Sequence, residues 1–153
     1  MFSVLLILTA FSADPALGQI FPLEPIKKVH WGMKLEDLQR VKPGGELKNE
    51  RGRIIYTIRD TLWGHSFGFG FTFQSNDDSI STILVIAFRQ QNEADKEYLQ
   101  LSDQLRLLFI AHYGKADSEK TILGQTMMRW RSSRESILFI KTNDGVIITY
   151  SRI

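Results

Sequence analysis

The apolar positions of the chain recur with two different periods. Leu35, Leu38 and Val41 are spaced three apart, Glu36 and Asp37 lie in the first turn where a helix dipole favours acids, and Pro43-Gly44-Gly45 ends the pattern. That spacing predicts a short helix. From residue 53 the period drops to two, and three strands are predicted at 53–61, 66–73 and 80–89, separated by Trp63-Gly64-His65 and Ser75-Asn76-Asp77-Asp78. The middle run is the clearest: Phe67, Phe69, Phe71 and Phe73 share one face, and Ser66, Gly68, Gly70 and Thr72 the other. A helical stripe then returns over 94–113 through Tyr98, Leu101, Leu105, Leu108, Phe109 and His112, and Gly114 ends it. Three more strands are predicted at 126–131, 136–142 and 146–152, with Asn143-Asp144-Gly145 suited to a tight hairpin.

One helix and three strands, followed by one helix and three strands, predict an α+β fold made of a tandem αβββ repeat, with halves at 30–90 and 91–153. Antiparallel strands leave one sheet face for two helices to cover, so the expected product is one largely antiparallel sheet with both helices on one face and the other face open. No residue-level identity relates the halves. Residues 19–29, with Pro22 and Pro25, read as an extended lead-in to a single domain spanning 30–153.

The first residues add a different feature. Asp14 is the only charged side chain before Glu24, and Val4, Leu5, Leu6, Ile7 and Leu8 open an apolar run shorter than the roughly 20 residues a membrane-spanning helix needs. Pro15 and the small residues of Ala16-Leu17-Gly18 follow, the order of a signal peptide over residues 1–18 cut before Gln19. A basic residue ahead of the apolar run is missing. The expected location of the mature protein is the periplasm or the exterior. With no cysteine in the chain, disulfides, thiol catalysis, cysteine-bound metals and the acylated cysteine of a lipoprotein anchor are excluded.

Trp31-Gly32-Met33-Lys34-Leu35-Glu36-Asp37-Leu38, the later Tyr113-Gly114-Lys115-Ala116, and Trp130 ahead of a closing hairpin resemble small exported bacterial proteins of unknown function. The Gly-Met start of the helix is also similar to the module shared by outer-membrane assembly accessory lipoproteins and the β-lactamase inhibitor protein. The resemblance implies binding of other proteins without catalysis. It differs in two places: Lys34 stands where a Ser or Thr cap is usual, and the lipoprotein cysteine is absent.

Recognisable catalytic chemistry is missing. His30, His65 and His112 show no metal-ligand spacing. Gly64, Gly68 and Gly70 alternate within a strand, whereas phosphate loops join a strand to a helix. Ser66 lacks the Gly-x-Ser-x-Gly setting of a hydrolase nucleophile, and Asp77-Asp78 read as turn formers. No catalytic residue, metal ligand or cofactor is therefore expected.

Strand parity supplies the remaining candidate. If the Phe side and Ile54, Tyr56, Ile58, Met128 and Trp130 face inward, Arg53, Arg59, Arg129 and Arg131 share the open face, beside the small side chains of the middle strand. Arginine's planar fork suits carboxylates and phosphates. The expected function is an exported, non-enzymatic interaction module that binds an acidic protein or an anionic envelope polymer on that face. A formal net charge of +2 is far too low for a nucleic-acid binder. The alternative is a carrier of a small apolar ligand held between sheet and helices.

Overall fold

The polar stretches on either side of the alternating runs prove to be strands as well. In the computed structural model, which describes residues 21–76, 78–90 and 94–153, a helix α1 (Leu35–Val41) precedes β1 (Glu46–Glu50), β2 (Arg53–Leu62), β3 (His65–Phe73) and β4 (Ile80–Phe88). A longer helix α2 (Asp95–Tyr113) precedes β5 (Ser118–Ile122), β6 (Gln125–Arg131), β7 (Glu135–Lys141) and β8 (Gly145–Arg152). The eight strands form one sheet in the order β1-β2-β3-β4-β8-β7-β6-β5, every neighbouring pair antiparallel. The fold is α+β.

Each half thus carries four strands, not the three expected. The two additional strands, β1 and β5, are the sheet edges, and every residue of both is exposed. An edge strand bonded on one side and bare on both faces needs no apolar alternation, and charges such as Glu46, Lys48 and Lys120 are what blunt such an edge. Their hairpins are closed by Arg51-Gly52 and Leu123-Gly124, which place two consecutive residues at positive φ as a type I′ turn requires.

Register carries the alternation across the sheet as continuous rows. Tyr56, Phe71, Ile83, Tyr150, Ile137 and Trp130 are successive cross-strand partners, and all are buried. On this side the Phe109 ring of α2 lies 5.9 Å from Trp130, 5.8 Å from Phe139 and 6.0 Å from Tyr150. Near the end of α1, Tyr56 donates its hydroxyl to the Lys42 carbonyl at 2.6 Å and accepts the Gly45 N–H at 2.8 Å. These bonds turn the chain sharply from α1 into β1.

Two local expectations change. Residues 21–29 are not an extended lead-in: Glu24–Ile26 forms a 3-10 turn, and Phe21, Leu23, Ile26 and Val29 are all buried, Phe21 packing edge-on against Trp31 and Tyr150. Pro25 fits because the first positions of a helical turn need no N–H. In the β7–β8 hairpin, Gly145 serves close packing: a Cβ there would lie 2.6 Å from the Ala87 carbonyl oxygen of β4. The turn itself is held by the Thr142 hydroxyl, which accepts the N–H groups of Asp144 and Gly145 at 3.1 Å each. The proposed signal peptide, the Gln19 terminus and the Asp77 turn position lie outside the described residues.

Candidate interaction surface

The face opposite Phe109 takes the alternate residue of every strand. One row runs Thr57, Gly70, Leu84, Thr149, Leu138, Arg129, and the next runs Arg59, Gly68, Ile86, Ile147, Ile140, Met127. Arg53 and Arg131 share this parity with Arg59 and Arg129, so all four expected arginines are on one face. They are not one cluster. β2 and β6 are five strands apart in the sheet order, which at the usual strand spacing is about 24 Å. Arg53 and Arg59 are themselves separated by six residues along β2, about 20 Å. Between the two pairs the middle of the face is mainly apolar, formed by Leu84, Ile86, Leu138, Ile140 and Ile147, with Thr149 among them.

Over β2–β4 this face is hollowed into an open groove of about 460 Å³. Gly68 and Gly70 form its floor, Leu84, Ile86 and Phe88 one wall, and Glu46, Lys48 and Arg59 the other. Phe88, at the end of β4, is 67% exposed, far more than a strand residue needs for packing. Sequence parity locates the Gly floor and Arg59; it misses Lys48 and Glu46, because β1 carries no strand signature. A second depression, of about 500 Å³, joins Arg53 to Arg152 beside Thr72 and Thr82. Arg89, just past the end of β4, lies off this face: its guanidinium bonds to Asp95 of α2 and sits 5.7 Å above the Tyr98 ring.

The register also fixes the charge of the face. Lys48, Arg53, Arg59, Lys120, Arg129 and Arg131 point outward on it, against Glu46 and Glu50. Six cations against two carboxylates give an excess of four, whereas the whole chain has an excess of two, so all other side chains together are net acidic. The ion pairs of the described residues, such as Lys42 with Asp60 at 3.1 Å and Arg106 with Glu119 at 3.3 Å, involve none of the four arginines.

A buried polar cluster lies on the opposite side. Glu135, at the start of β7, is 3% exposed and accepts the Trp31 indole N–H at 3.1 Å. The Tyr113 and Tyr150 hydroxyls are buried beside each other and near Glu135, and neither makes a well-formed hydrogen bond. Burial first, and then the Glu135 carboxylate, push Tyr113 well above the usual tyrosine range; burial, Tyr113 and Glu135 do the same to Tyr150. Such groups stay protonated and ill-suited to take a proton near neutrality. His30 bonds locally to the Trp31 carbonyl and His112 packs edge-on to Tyr113. Among the described residues no three His, Asp or Glu side chains are grouped to hold a metal ion, and no helix is long and apolar enough to cross a membrane.

Comparison with protein-family models, with curated proteins and with solved structures found no match.

Proposed function

We propose that this chain is an exported, non-enzymatic interaction module that captures an acidic protein or another anionic ligand of the envelope on its open sheet face. The observation that carries the reading is the charge imbalance: that face holds cations in excess while the remainder of the molecule is net acidic. In this reading the two helix-and-strand halves form a tandem module, revised to four strands each, with both helices on the covered face. The contacts of Phe109 and the bonds from Tyr56 to the end of α1 support that placement. The resemblance of the Trp31–Leu38 stretch to non-catalytic binding modules points the same way.

The test is charge reversal. Arg53, Arg59, Arg129 and Arg131 are changed together to Glu, and capture from an envelope extract is compared with wild type after circular dichroism confirms the fold. Loss of capture is expected; unchanged capture overturns the basic-face reading. Because the pairs are about 24 Å apart, the β2 and β6 pairs are also reversed separately, which locates the contact. Mass spectrometry of the protein recovered from its native compartment checks export, with Gln19 as the expected first residue.

A further inference from the structure

We infer that the groove over β2–β4 is a docking slot for a peptide segment that presents a bulky apolar side chain next to a carboxylate. The inference rests on the binding-face reading above and narrows it to one site and one class of occupant.

The charge of the groove is one argument. Among the described residues, Arg59 is exposed and has no ion-pair partner, Lys48 stands on the neighbouring strand, and Glu46 is the only acid lining the slot. Two cations against one carboxylate attract an anion, and the guanidinium can hold a carboxylate through paired hydrogen bonds. The opposite wall is a second argument. Leu84, Ile86 and Phe88 offer apolar surface that a polyphosphate could not use and that matches an apolar side chain. A volume of about 460 Å³ lies within the usual range of ligand sites, roughly 300–1,000 Å³.

The floor explains why the slot exists. Gly68 and Gly70 lie in a strand bonded on both sides, where glycine is unfavourable relative to alanine by about 0.5–1 kcal/mol. Neither adopts a positive φ, and a Cβ would meet nothing closer than 4.0 Å at Gly68 or 3.8 Å at Gly70. The fold therefore has room for side chains at both positions. Their absence leaves the peptide planes bare, flanked by Arg59 and by Leu84 and Ile86, so that an apolar side chain can lie flat on the strand while an adjacent carboxylate reaches Arg59. The strand's own N–H and C=O groups are already paired in the sheet, which makes side chains, not added strand pairing, the source of affinity.

The experiment is titration of the isotope-labelled protein with blocked pentapeptides, read by amide chemical shifts. The probe Gly-Asp-Phe-Glu-Gly is compared with Gly-Asp-Ala-Glu-Gly, Gly-Asn-Phe-Gln-Gly and Gly-Lys-Phe-Lys-Gly, and with tripolyphosphate. Saturable shifts at Gly68, Gly70, Leu84 and Ile86 are expected for the acidic Phe probe, at least fivefold weaker when either the ring or the charges are removed, and absent for the basic probe. Gly70→Val, which fills the floor, and Arg59→Gln each abolish them with the spectrum otherwise preserved, whereas Arg129→Gln does not. Absence of shifts by the acidic Phe probe, or equal shifts by the Ala probe or tripolyphosphate, overturns the slot. Shifts confined to β6 around Arg129 also overturn it while leaving the binding-face reading intact; that reading fails separately if the fourfold charge reversal leaves capture unchanged.

Discussion

Four glycines of one sheet system separate residues the fold requires from residues it merely tolerates. Replacing Gly68 or Gly70 by Ala should stabilise the protein, because alanine restricts the unfolded chain and both sites accept a Cβ without strain. The expected gain is about 0.4–1 kcal/mol each. At Gly70 the new methyl would rest 3.8 Å from the Leu84 Cβ and 4.0 Å from the Thr57 Cγ2, ordinary contact distances that add a little buried apolar surface. Gly45 and Gly145 should behave oppositely. A Cβ on Gly45 would fall 2.3 Å from the Tyr56 ring, which is buried and pinned by two hydrogen bonds, and one on Gly145 would fall 2.6 Å from the Ala87 carbonyl. Neither neighbour can yield cheaply, so losses of about 1–3 kcal/mol are expected.

Urea unfolding followed by tryptophan fluorescence and far-UV circular dichroism measures all four variants, with an unchanged slope establishing that only stability moved. The midpoints should rise for Gly68→Ala and Gly70→Ala and fall for Gly45→Ala and Gly145→Ala. In thermal melts each kcal/mol corresponds to about 4 °C for a domain of this size. If either Gly68→Ala or Gly70→Ala destabilises by more than about 0.5 kcal/mol, the glycine is demanded by the fold and the argument that the slot is kept open for a ligand loses its basis.

Two further perturbations test how α1 is held. Tyr56→Phe removes the bonds to Lys42 and Gly45 and leaves a carbonyl and an N–H without partners in a partly buried turn; a loss of about 1–3 kcal/mol in urea unfolding is expected, and less than about 0.3 kcal/mol would show the turn to be independent of them. At Asp60, burial opposes ionisation, but the Thr61 N–H and the Lys42 ammonium outweigh it and hold the carboxyl below the usual aspartate range. A depressed folded pKa means stability that is present above the unfolded value near pH 4 and is lost as pH falls through the folded one. Asp60→Asn should therefore flatten the acid limb of a stability–pH profile below about pH 4, and an unchanged limb refutes the assignment.

Much of the architecture was legible because burial writes a period into the chain. The Phe67, Phe69, Phe71, Phe73 alternation identifies the inward side of β3, all four being buried; of the Tyr98, Leu101, Leu105, Leu108, Phe109, His112 stripe of α2, Leu108 is half-buried, His112 is exposed and the other four are buried. β1 and β5 were illegible for the complementary reason: as edge strands exposed throughout, they bury nothing and carry no period. The 3-10 turn at Glu24–Ile26 was hidden because Phe21, Leu23, Ile26 and Val29 are buried through irregular backbone, which follows neither period. Parity alone put Arg53, Arg59, Arg129 and Arg131 on one face, because adjacent strands in register preserve the side on which a residue points.

The sequence by itself determined which side of β2, β3 and β6 faces the core, that two helices punctuate the strands, and that the chain has no thiol. Only the tertiary structure decided the strand order, and with it that β2 and β6 are held five strands apart, that Lys48 joins Arg59 beside Gly68 and Gly70, and that Leu84, Ile86 and Phe88 form the facing wall. The division has a physical cause. Facing direction is a local property of the backbone's twofold repeat, whereas distance across a sheet depends on which strands find each other, and that is settled by contacts between residues far apart along the chain.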